Sequence, residues 1–187
     1  FTYIDYSNHS RYMKEKLVII SDLWGLKKAG YLSKLVDILE PHYEVQVLDS
    51  IQLAGIDQRV YTKESLHRQF VQGGIDRASL RLKELLNEPT LIIAFSVGGI
   101  IAWKAALNVR TVNHLVCISS SRLRLEDRRP NCSVDLIFGE NDEHRPHASW
   151  FNRLGLTYKE IVNAGHDFYR STSDISFLIP FLIKETH

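Results

Sequence analysis

The sequence predicts an α/β domain: a doubly wound, mainly parallel six-stranded sheet with helices on both faces. Three observations predict it. Leu17–Ile20, Leu91–Ala94 and Val112–Ser119 are short apolar runs without strict polar alternation, as strands buried on both faces require. Segments with helical spacing of apolar residues lie between the strand-like runs, so strand and helix alternate along the chain. Several of these runs end in loops carrying glycine, serine, aspartate or histidine, and a doubly wound sheet places its sites at the carboxyl ends of its strands.

Taken in order, Leu17–Ile20 forms the first strand and delivers the loop Ser21-Asp22-Leu23-Trp24-Gly25 to one sheet edge. Leu32, Leu35, Val36 and Leu39 share a helical face closed by Pro41, and Tyr43 to Leu48 alternates as a second strand ending at Asp49. Gln52 to Tyr61 shows no periodicity and reads as a connection. Thr62 caps a helix that turns Leu66, Phe70 and Val71 inward, and Gly73-Gly74 interrupts it. A second helical stretch with Ile75, Leu80, Leu82 and Leu85 stops at Pro89, ahead of a central strand over Thr90 to Ala94. From Gly99 to Leu107 the composition is helical. Val112 to Ser119 is the next strand, Ser120 to Pro130 a polar, arginine-rich loop, and Val134 to Phe138 a fifth strand. His147 to Leu154 suits a short helix, Thr157 to Val162 a last strand, and Asp174 to Lys184 a terminal helix kinked or started late at Pro180.

With 187 residues and 44% hydrophobic content, the chain fills one well-packed domain and is too short for two. The only methionine, Met13, runs straight into the first strand, so residues 1–12 are expected to be an extension outside a single domain over 13–187. A net charge of +1 and a pI near 8.0 give no global basic field for nucleic acid, which favours small-molecule partners. The longest apolar stretches, Leu17–Ile20 and Phe177–Ile183, fall far short of a membrane span, and no charged-then-apolar leader opens the chain, so a cytoplasmic protein with no membrane partner is expected. Cys117 and Cys132 are too few for a disulfide framework and read as reduced thiols.

The central run Leu91-Ile92-Ile93-Ala94-Phe95-Ser96-Val97-Gly98-Gly99-Ile100 stops at a serine with Ala94 and Gly98 two residues to either side. A nucleophilic serine between strand and helix needs a strained backbone, which is bearable only with small residues at those two positions. The plainer alternative is a glycine-rich turn. The stretch resembles the nucleophile elbow of the α/β-hydrolase superfamily, with alanine in place of the first glycine of Gly-x-Ser-x-Gly. The resemblance covers Lys16 to Lys184 and implies the strand order 2-1-3-4-5-6. It also implies a minimal α/β-hydrolase fold with no lid domain, because Ser119 to Cys132 leaves room only for a loop, and hence an open site.

An elbow serine is inert at neutral pH unless a base takes its proton and an acid orients that base. Gly139-Glu140-Asn141-Asp142 is similar to the superfamily's acid loop and Asn163-Ala164-Gly165-His166 to its histidine loop, so Ser96, Asp142 and His166 stand in the family's order. Glu140 is an alternative acid, and Asp142 could instead cap the following helix. The resemblance further implies two oxyanion donors, the Val97 N–H and one from the first loop, with Trp24 chosen by position and Leu23 next. That loop lacks the family's His-Gly pair. Asp22 beside a developing oxyanion is unfavourable unless it turns away or pairs with a cation.

Trp24 also reads as an apolar cover over the site. Arg122 and Arg124, with Arg128 and Arg129, could pair with a substrate carboxylate or phosphate, or form a solvated mixed-charge loop with Glu126 and Asp127. His144 and His147 lack the further ligands a metal site needs, so neither metal nor cofactor is expected. The resemblance implies a serine hydrolase that cleaves a small-molecule carboxylic ester or thioester through an acyl-enzyme. A noncatalytic binder of the same fold and an acyltransferase using the same triad are the alternatives. The sequence is silent on oligomeric state.

Overall fold

The computed structural model describes residues 14–171 and 178, so the extension 1–12 and, Leu178 apart, the terminal helix expected over 174–184 lie outside the described residues. The uninterrupted apolar runs become the central strands. β1 (Glu15–Ile20), β3 (Thr90–Phe95) and β4 (Val112–Ile118) are buried over most of their length, β3 along all of it. β2 (Tyr43–Leu48) alternates because it forms one edge, β5 (Ser133–Gly139) buries its last four residues, and β6 (Lys159–Ile161) forms the opposite edge. The order is β2-β1-β3-β4-β5-β6 with every pair parallel, as the resemblance implies. Registers such as Ile20 opposite Ala94 and Ala94 opposite Cys117 align the strand ends at one edge.

Successive residues of one strand enter different cores, because strand side chains alternate between faces. Val18, Ile20, Ile92, Ala94, Leu115 and Cys117 face one core, and Leu17, Ile19, Leu91, Ile93, Val116 and Ile118 face the other. The first core is covered by α2 (Ser50–Ala54), α3 (Lys63–Gln69), α4 (Ile75–Leu85), α5 (Val97–Ala106) and α6 (Ala148–Leu154). The second is covered by α1 (Gly30–Leu39), through Leu32, Leu35 and Leu39, and by the short α7 (Phe168–Ser171). Each fully buried Leu, Ile or Phe side chain contributes roughly 1.5–3 kcal/mol. Trp103 of α5 is fully buried and donates its Nε1–H to the Arg128 carbonyl at 3.0 Å, satisfying its one polar atom.

Two expectations about local structure are corrected. The connection over Gln52 to Tyr61 is preceded and entered by α2, whose five residues are too few to show a period; Asp49 caps it, accepting from the Ile51 N–H at 2.8 Å. Val71 is 44% exposed, because Leu66 and Phe70 already define the buried face of α3 and the next residue points away from it. The chain then leaves helical geometry at Gln72 and at Gly73, where φ is 96°. Leu80 is 64% exposed because α4 buries Ile75, Ala78, Ser79 and Leu82 instead. Thr62 caps α3 as expected, its Oγ1 accepting from the Ser65 N–H. No helix among the described residues is long and apolar enough to cross a membrane.

Candidate active site

β3 leads into α5 through Ser96, whose φ of 49° and ψ of −113° belong to a sharp, strained turn. The Ser96 N–H donates to the Ile118 carbonyl at 2.8 Å and its own carbonyl accepts from the Gly99 N–H at 3.1 Å, so the turn is fixed on both sides. Small residues are needed for a packing reason as well. A Cβ at Gly98 would lie 2.6 Å from the Ser21 carbonyl oxygen, and one at Gly99 only 1.7 Å from Ser120 Oγ. Among the described residues two others that are not glycine take positive φ, Ser119 after β4 at 50° and Asn163 after β6 at 57°. The Ser119 hydroxyl is buried without a partner among the described residues.

The loops after β5 and β6 bring the predicted acid and base to this turn. Ser96 Oγ lies 3.1 Å from His166 Nε2, and His166 Nδ1 lies 2.8 Å from Asp142 Oδ2. Asp142 Oδ1 accepts from the His144 N–H at 3.0 Å. Burial pushes the Asp142 carboxyl up, but the hydrogen bond and charge of His166, with the His144 N–H, outweigh it and hold Asp142 below the usual aspartate range. Backbone bonds stitch the two loops together: Glu140 N–H to the Ile161 carbonyl at 2.9 Å and Asn141 N–H to the Ala164 carbonyl at 2.8 Å. Gly139 permits this approach, since a Cβ there would meet the Ala164 carbonyl oxygen at 2.3 Å. Glu140, the alternative acid, accepts from the Asn163 N–H at 2.7 Å and is exposed, so it ties the loops rather than facing the imidazole.

Asp22 in the loop after β1 is 2% exposed and fully engaged. Its Oδ1 accepts from the Trp24 N–H at 3.0 Å, while Oδ2 accepts from the Tyr169 hydroxyl at 3.0 Å and pairs with Arg170. Burial raises the Asp22 carboxyl, against which the Arg170 charge and these donors work. The Trp24 N–H is therefore committed to Asp22, whereas the Leu23 N–H has no hydrogen-bond partner among the described residues. The Trp24 carbonyl accepts from the Tyr61 hydroxyl, the two rings lie 5.7 Å apart, and Lys28 Nζ sits 4.0 Å over the indole. The Val97 N–H stands at the start of α5, directly after the serine.

Arg122 and Arg124 lie on a short turn after β4, Arg124 donating to the Ser121 carbonyl at 2.7 Å. Burial, with the charges of Arg122, Lys63 and Arg124, holds His67 of α3 below its usual range, so this flank is positively charged. Glu126 turns to Lys104 at 3.8 Å, and Arg129 donates to the Gly155 carbonyl. His147 lines an open depression of about 460 Å³ on the acid loop with Glu140, Glu143, Arg145 and Tyr158. Among the described residues no three His, Cys, Asp or Glu side chains are grouped so as to hold a metal ion. Cys117 and Cys132 are free thiols, and burial pushes Cys132 up to about 11. Tyr31, Tyr169 and Arg170, which surround Asp22, carry no local motif; the sequence signal is Asp22 itself, whose place beside the expected oxyanion calls for a cation or a turn away.

No family model and no curated protein sequence matches the chain. Solved structures do resemble it. An α/β-hydrolase enzyme from the metagenome of sediments of the Mar Chica lagoon, Morocco, is 15% identical over 90% of each chain, with a TM-score of 0.62. A dienelactone hydrolase-like promiscuous phosphotriesterase from metagenomic libraries is 16% identical over 93% of this chain and 80% of its own, with a TM-score of 0.60. A cold-adapted esterase from an Arctic intertidal metagenomic library is 13% identical over 92% and 84%, with a TM-score of 0.58. At these identities the likeness is one of fold.

Proposed function

From the premise that this chain has the α/β-hydrolase fold, we propose that it is a serine hydrolase acting on a carboxylic ester or thioester of a small molecule. The observation that carries the reading is the relay from Ser96 Oγ through His166 to Asp142, at 3.1 and 2.8 Å, starting from a positive-φ serine at the head of a helix. Ser96 attacks the carbonyl carbon as His166 Nε2 takes the hydroxyl proton. Asp142 holds the imidazole with Nδ1–H toward Oδ2 and stabilises the imidazolium, and a general base so placed is worth roughly 10²–10⁴ in rate. The tetrahedral oxyanion is received by the Val97 N–H and the Leu23 N–H, each such donor contributing about 10²–10³. The imidazolium then protonates the leaving alcohol or thiol, and water, deprotonated by the same imidazole, releases the acid.

Leu23 replaces Trp24 as the second donor in this scheme because the Trp24 N–H is already spent on Asp22. Trp24 and the half-buried Arg122, with Arg124, flank the substrate. The hydrolytic activities named for proteins of similar fold support the reading without specifying the acyl group. Labelling with a reactive fluorophosphonate, mapped by mass spectrometry, tests it independently of substrate. Modification of Ser96 that disappears in Ser96→Ala and His166→Ala is expected. A folded protein that takes no label refutes the activated serine and leaves a noncatalytic binder.

A further inference from the structure

We infer that Asp22 and Arg170 are positioning residues, a half-buried strut that fixes the loop carrying the Leu23 N–H against the segment carrying His166. The two residues are 148 positions apart in sequence, yet Arg170 reaches Asp22 Oδ2 with Nη1 and the Lys28 carbonyl at 2.8 Å with Nη2. One guanidinium thus grips both ends of the stretch 22–28. The carboxylate divides its work: Oδ1 accepts from Trp24 within its own loop, and Oδ2 accepts from Tyr169 and Arg170, three and four residues after His166. The Asp22 N–H in turn donates to the Tyr31 hydroxyl at 3.2 Å.

The elbow strand joins the same cluster. Phe95, immediately before Ser96, lies 5.0 Å from the Tyr31 ring and 5.0 Å from the Tyr169 ring, and those two rings are 5.1 Å apart. Oxyanion loop, nucleophile strand and histidine segment therefore meet at one point outside the reacting atoms. A buried ion pair is a weak device for stability, since its desolvation cancels much of its attraction. Its planar, two-pronged geometry is a strong device for alignment. The pairing also draws the negative charge of Asp22 away from a developing oxyanion next to Leu23.

The inference rests on the reading of Ser96 as nucleophile, and its test separates the two. Arg170→Met, Arg170→Lys, Asp22→Asn and the double variant Asp22→Asn/Arg170→Met are compared with wild type by thermal unfolding, by kcat and KM for p-nitrophenyl butyrate, and by hydrogen exchange. Arg170→Met is expected to lower kcat about 10- to 100-fold with KM within about threefold, because misplacement without lost contact slows the chemical step. Arg170→Lys recovers part of that loss. The double variant regains thermal stability but not kcat. Recovery of kcat together with stability, or a rise in KM at constant kcat, overturns the inference.

A wild-type protein that neither turns over ester nor takes label refutes the catalytic reading instead. Hydrogen exchange then decides the strut by itself. Faster exchange in Arg170→Met at both 22–25 and 166–169 is expected, and acceleration confined to one of the two segments overturns it.

Discussion

Gly98→Ala puts the packing of the elbow to a direct test. The added Cβ would stand 2.6 Å from the Ser21 carbonyl oxygen and 3.0 Å from both the Ile20 carbonyl oxygen and Ile20 Cγ2. Ordinary contact begins near 3.4 Å, so about 0.8 Å must be found, and the obstacle is backbone. Ile20 is fully buried and paired with Ala94, which blocks relaxation by β1. Overpacking of this kind costs roughly 1–3 kcal/mol. For a domain of this size each kcal/mol lowers Tm by about 2–4 °C, giving a fall of about 2–12 °C. Ser21 begins the loop that holds Leu23, so the same displacement moves the proposed second oxyanion donor relative to Ser96. A misplacement near 1 Å costs about 10²-fold, and kcat for a short p-nitrophenyl ester is expected to drop about 10- to 100-fold. Gly30→Ala is the control, because nothing lies within 4 Å of a Cβ there and the residue opens α1. Circular dichroism melts and steady-state kinetics read both variants. If Gly98→Ala melts with wild type and turns over at its rate, the close approach of elbow and β1 does not constrain the protein as reasoned.

Asp142→Asn keeps the side chain's shape but not its charge, and kcat is expected to fall by about 10³-fold or more at nearly constant KM, since an amide no longer stabilises the imidazolium. A loss under tenfold would remove Asp142 from the relay. The folded Asp142 carboxyl sits below the ordinary value of 3.8, so its ionised form stabilises the fold above that pH and the contribution disappears as pH falls through the lower folded value. Wild type should therefore lose stability more steeply below about pH 4 than Asp142→Asn, and parallel acid limbs in urea titrations would contradict this. Asp49→Ala removes the cap on α2 and the bond from the Leu26 N–H to Oδ2 at 3.2 Å, with an expected cost of about 1–2 kcal/mol; an unchanged urea midpoint would argue against it.

The order of elements was legible because burial on both faces leaves an unmistakable mark. Leu17–Ile20 and Leu91–Ala94 have no polar position for solvent to reach, and β1 and β3 form where those runs lie. Shorter features left weaker marks. α2 is one helical turn and a half, so only its Asp49 cap could have announced it, and β6 shrinks to Lys159–Ile161, which pair with Ile137 to Gly139 at the end of β5. Ser96, Asp142 and His166 could be picked out because each sits in a loop with its own local pattern, and the structure brings them within hydrogen-bonding distance. Arg170 could not, because what it meets is set by the return of the chain after β6 across the sheet to the loop after β1. The Trp24 assignment shows the same limit: position in a loop does not reveal which N–H its neighbour's carboxylate has already taken.

Ser96, Ser119 and Asn163 hold positive φ without being glycine, and all three stand at or just past the carboxyl ends of strands. Each such conformation costs on the order of 1–2 kcal/mol, so strain is concentrated along the edge where the proposed chemistry occurs. Glycine would relieve it at every one of the three positions. At Ser96 that relief would delete the hydroxyl. Selection for thermal tolerance alone would therefore favour a sequence that folds better without the proposed nucleophile, and a stabilised form of this protein has to leave Ser96 as it is while relieving the strain at Ser119 or Asn163.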